Sequence, residues 1–388
     1  KDIVYLSDFI SWLENAISSV INLNTKNTPK EIMFPIRNIL KKLNSKHLFI
    51  TEPCLEYNYA VSLFMGSKIG IYFKLEEDEI PEIIKIIFPI LHKDDILNGA
   101  VMGHEFGHFL DLHYKLDITG KIIAKYMLNP IFEEIYKETM KKTSLSVTKE
   151  EFKVLLLKKY FKNWIQEFVA DIIGICLYGL ASFFAYQHVI FSNIKISMIG
   201  ERHKISDNIF ETHPRNTIRT FMMIKTLKKL KYNNYANKKT LDLIEEYYQI
   251  WNESIIENNN IIFILLEEFL KDESDFLIDS VINELKILSD NLIYDFSKLK
   301  VIVPHAVEKI INVIPPNEIK GEPIDEISIL NAGWIAYLLE YDKIKETLNS
   351  EDYSFKDFEI KEIVDNLIKK AILASDIHSR WLNNEINS

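Results

Sequence analysis

Gly103-His104-Glu105-Phe106-Gly107-His108 sets two histidines four residues apart, and the rest of the chain is read outward from it. On a helix of 3.6 residues per turn, His104 and His108 stand one turn above each other. Both imidazoles can then aim at one metal ion, with Glu105 beside them. Gly99, Gly103 and Gly107 recur every four residues through the same stretch. Each costs up to about 1 kcal/mol relative to Ala in a helix interior. The stripe therefore predicts that another backbone passes close along it, with Gly174 permitting similar closeness from the partner helix.

A catalytic zinc takes three protein ligands and keeps one position for water, so a third His, Glu or Asp must come from elsewhere. Downstream stands Trp164-Ile165-Gln166-Glu167-Phe168-Val169-Ala170-Asp171. Glu167 and Asp171 share one helical face; the first could ligate, and the second could orient a ligating histidine. Then comes Thr212-His213-Pro214, followed by Arg219. Spacing excludes the metzincin pattern H-E-x-x-H-x-x-G-x-x-H, because Asp111 stands at its glycine and Tyr114 at its third histidine, with His113 one residue early. His113 is read as an ordinary helix histidine.

H-E-x-x-H, a distant E-x-x-A-D on a second helix and then H-P-x-x-x-x-R together resemble the gluzincin metallopeptidases, in particular the peptidase domain of the CAAX prenyl endopeptidases and their soluble relatives. The match covers residues 95 to 225. The resemblance implies one zinc ion per chain held by His104, His108 and Glu167, with Glu105 as general base and His213 and Arg219 supporting the developing oxyanion. It implies hydrolysis of peptide bonds in a peptide or protein substrate by metal-activated water. Those prenyl proteases are membrane proteins, and this chain lacks their array of spanning segments, so substrate identity does not carry over. Two other readings use the same residues: a zinc hydrolase of another amide or ester, and a non-catalytic zinc-containing binding or regulatory module. A closed structural zinc site would have no need of Glu105.

The 388 residues allow one large domain or two ordinary ones, with 47% apolar content and a formal charge of -10. That charge argues against a general binder of nucleic acid or anionic membranes. Two cysteines, Cys54 and Cys176, imply no disulfide framework and fit a reducing cytoplasm. No signal-peptide pattern opens the sequence at Lys1, where trimming would account for the missing Met. The apolar run 172–191 is about long enough to span a bilayer. It follows Asp171 directly and is interrupted by Gln187 and His188, so it is read as a buried core helix.

The expected fold is α+β and helix-dominated: a zincin-like metallopeptidase domain, residues 1–232, with a helical C-terminal extension, 233–388. Helices are predicted over 5–23 and 29–43, followed by a small antiparallel sheet within 47–88 from strands near 47–52, 57–64 and 69–74. Ile83 to Phe88 fits either an edge strand or a helix start. The metal helix is placed over 95–114, capped by Asp94 or Asp95, and the third-ligand helix over 164–191. Between them, 117–162 reads as two helices around a polar turn with a capping signal at Ser146 to Glu151. A loop over 192–212 precedes a helix capped by Thr212, with Pro214 in its first turn. Lysines between Lys225 and Lys239 read as a solvated helix end, and His305, His378 and Cys176 as structural residues.

Overall fold

A computed structural model of the chain describes residues 7–11, 13–14, 30–55, 59–64, 83–112, 114, 116–127, 129–142, 147–193, 213–253, 261–349 and 353–386. The expected strand at 69–74, residues 194–212 of the expected loop and His113 lie outside them, while 192 and 193 end a helix. In chain order the main elements are α1 (Lys30–Lys42), β1 (Leu48–Cys54), β2 (Ala60–Phe64), β3 (Ile83–Pro89) and α2 (Met102–Leu112). Next come α3 (Ile118–Tyr126), α4 (Ile131–Lys142), α5 (Lys149–Leu155), α6 (Lys162–Tyr178), α7 (Leu180–Asn193) and α8 (Asn216–Lys229). The remainder is α9 (Lys238–Glu253), α10 (Ile261–Asp272), α11 (Ser274–Leu288), α12 (Lys298–Val301), α13 (Val303–Ile311), β4 (Glu318–Ile319), β5 (Glu322–Pro323), α14 (Glu326–Leu339), α15 (Tyr341–Leu348) and α16 (Asp357–Ile386). Helix dominates and the sheet is small, as composition and periodicity predict.

The chain forms two compact units, one of residues 1–105 with 302–388 and one of residues 106–301. The division falls inside α2, between Glu105 and Phe106. In the first unit the sheet runs β1-β3-β2, with β3 parallel to β1 and antiparallel to β2. The expected antiparallel sheet is thus a mixed one. Ile83–Pro89 is its central strand and neither an edge nor a helix start. Ile84, Ile86 and Phe88 are buried on one face, as the period of two requires, while Lys85 on the other face pairs with Glu52 at 3.0 Å. Helix α16 packs on α1, α14 and β5. Asp376 of α16 pairs with Arg37, and Asn38 donates to Glu326 at 2.6 Å. Lys320 and Gly321 both have positive φ, 54° and 84°, the conformation that a two-residue hairpin turn between β4 and β5 demands.

In the second unit, α6 is the axis, packed by α3, α7, α8 and α11. Trp164, Phe168, Ile172, Ile173 and Ile175 along it are fully buried. Residues 117–162 hold three α-helices, α3 to α5, and a π-helical turn, Leu156–Phe161, that feeds α6. Thr148 and Glu151 form the capping box expected for α5: the Thr hydroxyl accepts from Glu151 N–H at 3.3 Å, and the Glu carboxylate accepts from Thr148 N–H at 3.0 Å. The predicted single helix 164–191 is two helices, because Gly179 takes φ 62°, ψ -138° and ends α6. Among the described residues no helix is long and apolar enough to cross a membrane. Lys225 and Lys229 lie 3.0 and 2.8 Å from Asp275 and Asp279 of α11.

Candidate metal centre

The α-helix begins at Met102, later than the predicted start, because residues 98–101 form a turn of 3₁₀ helix. Asp95 caps that turn, accepting from Asn98 N–H at 3.1 Å. His104 and His108 therefore lie in the first and second turns of α2, His104 buried and His108 partly so. Beyond His108, Asp111 accepts from Ile118 N–H at 2.7 Å, from Thr119 N–H at 3.1 Å and from the Thr119 hydroxyl. The residue at the metzincin glycine position thus satisfies the first amides of α3.

Glu167 is brought to the histidines by a close crossing of α2 and α6. A Cβ on Gly107 would stand 2.8 Å from both Cα and O of Ala170. The backbone approach expected along the glycine stripe is thus found at Gly107. At Gly99 the neighbour is a side chain, Ile32, with a Cβ-to-Cγ1 distance of 3.0 Å. Ala170 lies three residues past Glu167, on the adjoining turn of α6, so contact at Gly107 sets the separation of the two ligand-bearing helices. His104, His108 and Glu167 each offer one donor atom, and these atoms all lie within 4.8 Å of one another. His108 Nε2 is 3.5 Å from Glu167 Oε1.

The other carboxylate oxygen of Glu167 is held from α8. Arg219 reaches Glu167 Oε2 at 3.2 Å and forms a two-point ion pair with Asp171, at 2.8 Å through Nε and 2.7 Å through a terminal nitrogen. Asp171 is fully buried, and the guanidinium carbon lies 4.6 Å over the Tyr186 ring. Burial opposes the charge on Arg219, yet Asp171, Tyr186 and Glu167 outweigh it and hold its pKa above the ordinary value. Burial likewise raises the Tyr186 phenol. Asp171 thus reaches the donor set through Arg219, one helical turn from Glu167. Sequence reasoning missed Tyr186, which sits in the apolar run with nothing to distinguish it from a core aromatic.

His213 precedes its helix. Residues 213–215 are non-helical, α8 starts at Asn216, and Arg215 is the N-cap with extended φ, ψ. The expected helix start at Thr212 and Pro214 is corrected accordingly: Arg215 pairs with buried Glu267 of α10, and Asn216 accepts from the Tyr186 hydroxyl at 3.1 Å, so tertiary contacts decide where α8 begins. His213 Nε2 comes to 3.8 Å from Glu167 Oε1 with its side chain 68% exposed. Glu105, between the histidines, is partly exposed.

Two imidazoles and one carboxylate form a donor set that could hold a metal ion. At 3.5 Å, His108 Nε2 and Glu167 Oε1 are close enough for one ion to meet both. Arg219 on Oε2 leaves Oε1 as the oxygen that faces His108, which suits a monodentate carboxylate ligand. No protein-family model, curated protein or solved structure matches this chain.

Proposed function

We propose that the chain is a zinc-dependent peptidase that hydrolyses peptide bonds with activated water. The observation that carries this reading is the convergence of His104, His108 and Glu167 donor atoms within 4.8 Å. Zinc bound there would supply a Lewis acid that lowers the pKa of a bound water to about 7 and polarises a carbonyl. The histidines bind as neutral imidazoles, and Glu167 brings one negative charge to the set, oriented by Arg219. Glu105 projects about 100° round the helix from His104 and takes the proton of the attacking water. The water oxygen bonds to the carbonyl carbon, the C–N bond breaks, and Glu105 returns the proton to the leaving amine. His213, on the exposed side of Glu167, donates a hydrogen bond to the carbonyl oxygen as negative charge develops on it.

Metal analysis and a matched variant test the reading together. Purified protein should carry near one zinc per chain, and His108→Ala should lose it. Glu105→Gln should retain zinc and thermal stability while cleavage of a peptide-library substrate falls by several powers of ten, because an amide of the same shape cannot accept the proton. Equal cleavage by Glu105→Gln and the parent would end the metallopeptidase reading.

A further inference from the structure

The chain segment entering α2 is poorly equipped to hold itself. It opens as 3₁₀ helix capped through Asp95, and α2 is only 11 residues long with Gly103 and Gly107 inside it. A helix so short, carrying glycines that each cost up to about 1 kcal/mol, is marginal without tertiary support. The first unit supplies that support from the far end of the sequence. Asp365 of α16 accepts from Leu97 N–H at 3.0 Å, and Trp334 of α14 donates its indole N–H to Leu97 C=O at 3.0 Å. Leu97 and Trp334 are fully buried, and Gly333 leaves the room that the Leu97 side chain fills, since a Cβ there would stand 2.7 Å from Leu97 Cδ2. Lys361 of α16 joins the two anchors: its ammonium lies 2.7 Å from the capping residue Asp95 and 2.8 Å from Asp365. Both backbone polar groups of Leu97, and the capping carboxylate of Asp95 two residues before it, are thereby fixed by three side chains from residues 334–365.

We infer that Trp334, Lys361 and Asp365 are positioning residues for the candidate metal centre: they clamp the turn at Leu97 and so fix the first turn of the helix that carries His104. The C-terminal region then has a defined part in metal binding. The effect on the metal rests on the peptidase reading, whereas the clamp itself does not. Their charge inventory supports a device specific to this turn. Two carboxylates and one ammonium are gathered where Asp365 is 4% exposed, an arrangement that a simple packing contact between apolar helices does not require.

The test compares Trp334→Phe and Lys361→Met with Lys369→Met in the whole 388-residue chain. Lys369→Met removes an ion pair from the same helix to the exposed Asp94, at 2.8 Å, and leaves Leu97 untouched. Hydrogen exchange of the amides from Gly99 to Phe106 should quicken about tenfold or more in the first two variants and stay at the parental rate in the third. Zinc affinity, read by chelator competition, should weaken about tenfold in the same two, with the visible absorption of the Co²⁺-loaded protein altered. Trp334→Phe is the conservative member that keeps the core filled should Lys361→Met fold poorly. Unchanged exchange at Gly99 to Phe106 in Trp334→Phe and Lys361→Met overturns the clamp, as does an equal effect from Lys369→Met. If the parent binds no zinc while the two clamp variants still speed exchange, the inference stands for the helix and the metallopeptidase reading falls.

Discussion

Gly107→Ala probes the helix crossing that brings the candidate ligands together. The added Cβ would meet Cα and O of Ala170 at 2.8 Å. Ordinary carbon contacts are about 3.5 to 4.0 Å, so α2 and α6 must separate locally by roughly 0.7 Å or more. The displacement falls one residue from His108 and three from Glu167, whose donor atoms are 3.5 Å apart. Metal–ligand distances tolerate only about 0.2 Å. The site must therefore stretch beyond what one ion can bridge, and zinc affinity should drop on the order of a hundredfold. Stability moves as well. Overpacking costs about 1 to 3 kcal/mol, while replacing glycine by alanine in a helix returns up to about 1 kcal/mol. The net change is about 0 to 3 kcal/mol, measured on metal-free protein by urea unfolding, with the zinc constant obtained by chelator competition. Parental zinc affinity, or a variant more stable than the parent by the full helix-propensity gain, would refute the close crossing as the element that sets ligand spacing.

His213→Phe should retain zinc while peptide hydrolysis falls on the order of a hundredfold, the effect of one lost oxyanion donor; loss of metal in metal analysis would place His213 among the ligands. Arg219→Lys keeps one positive charge and removes the fork that spans Asp171 and Glu167. It should lower the unfolding midpoint and weaken zinc at least tenfold, and a silent result in both assays would remove the ion pair from any part in holding Glu167. The Asp365 carboxyl predicts a pH dependence of stability. Burial first, then Asp95, raises its pKa from 3.8 to about 7 against the pull of Lys361 and the Leu97 amide. His92 and Tyr337 share that field: burial lowers the first against the pull of Asp95, and burial raises the second. A carboxyl with a raised folded pKa makes the folded state bind more protons than the unfolded one between the two values. This contribution is therefore fully present below the ordinary pKa and is lost as pH rises toward 7, by at most about 1.4 kcal/mol per pH unit. Urea unfolding of the parent and Asp365→Asn from pH 4 to 8 should show this slope in the parent alone.

By itself the sequence determined what local periodicity and chemistry can decide. The 3.6-residue repeat was enough to put His104 and His108 on one helical face and Glu167 and Asp171 on another, and the capping box at Thr148 and Glu151 was legible because its partners are three residues apart. Gly107 announced a close backbone because nothing local rewards a glycine in a helix. Strand order was not legible: β3 lies between β1 and β2, and turn chemistry specifies neighbours in sequence only. Nor could spacing show that residues 302–388 form one unit with residues 1–105, or that Asp365 and Trp334 hold Leu97, since these partners are more than 230 positions away in sequence. The break at Gly179 and the start of α8 at Asn216 were likewise tertiary decisions, the latter tied to Arg215 on Glu267 and Tyr186 on Asn216. Asp171 shows the limit most plainly. Its place on the helix was readable, but its partner was not, because a buried carboxylate takes whichever cation the fold delivers, and here that cation is Arg219.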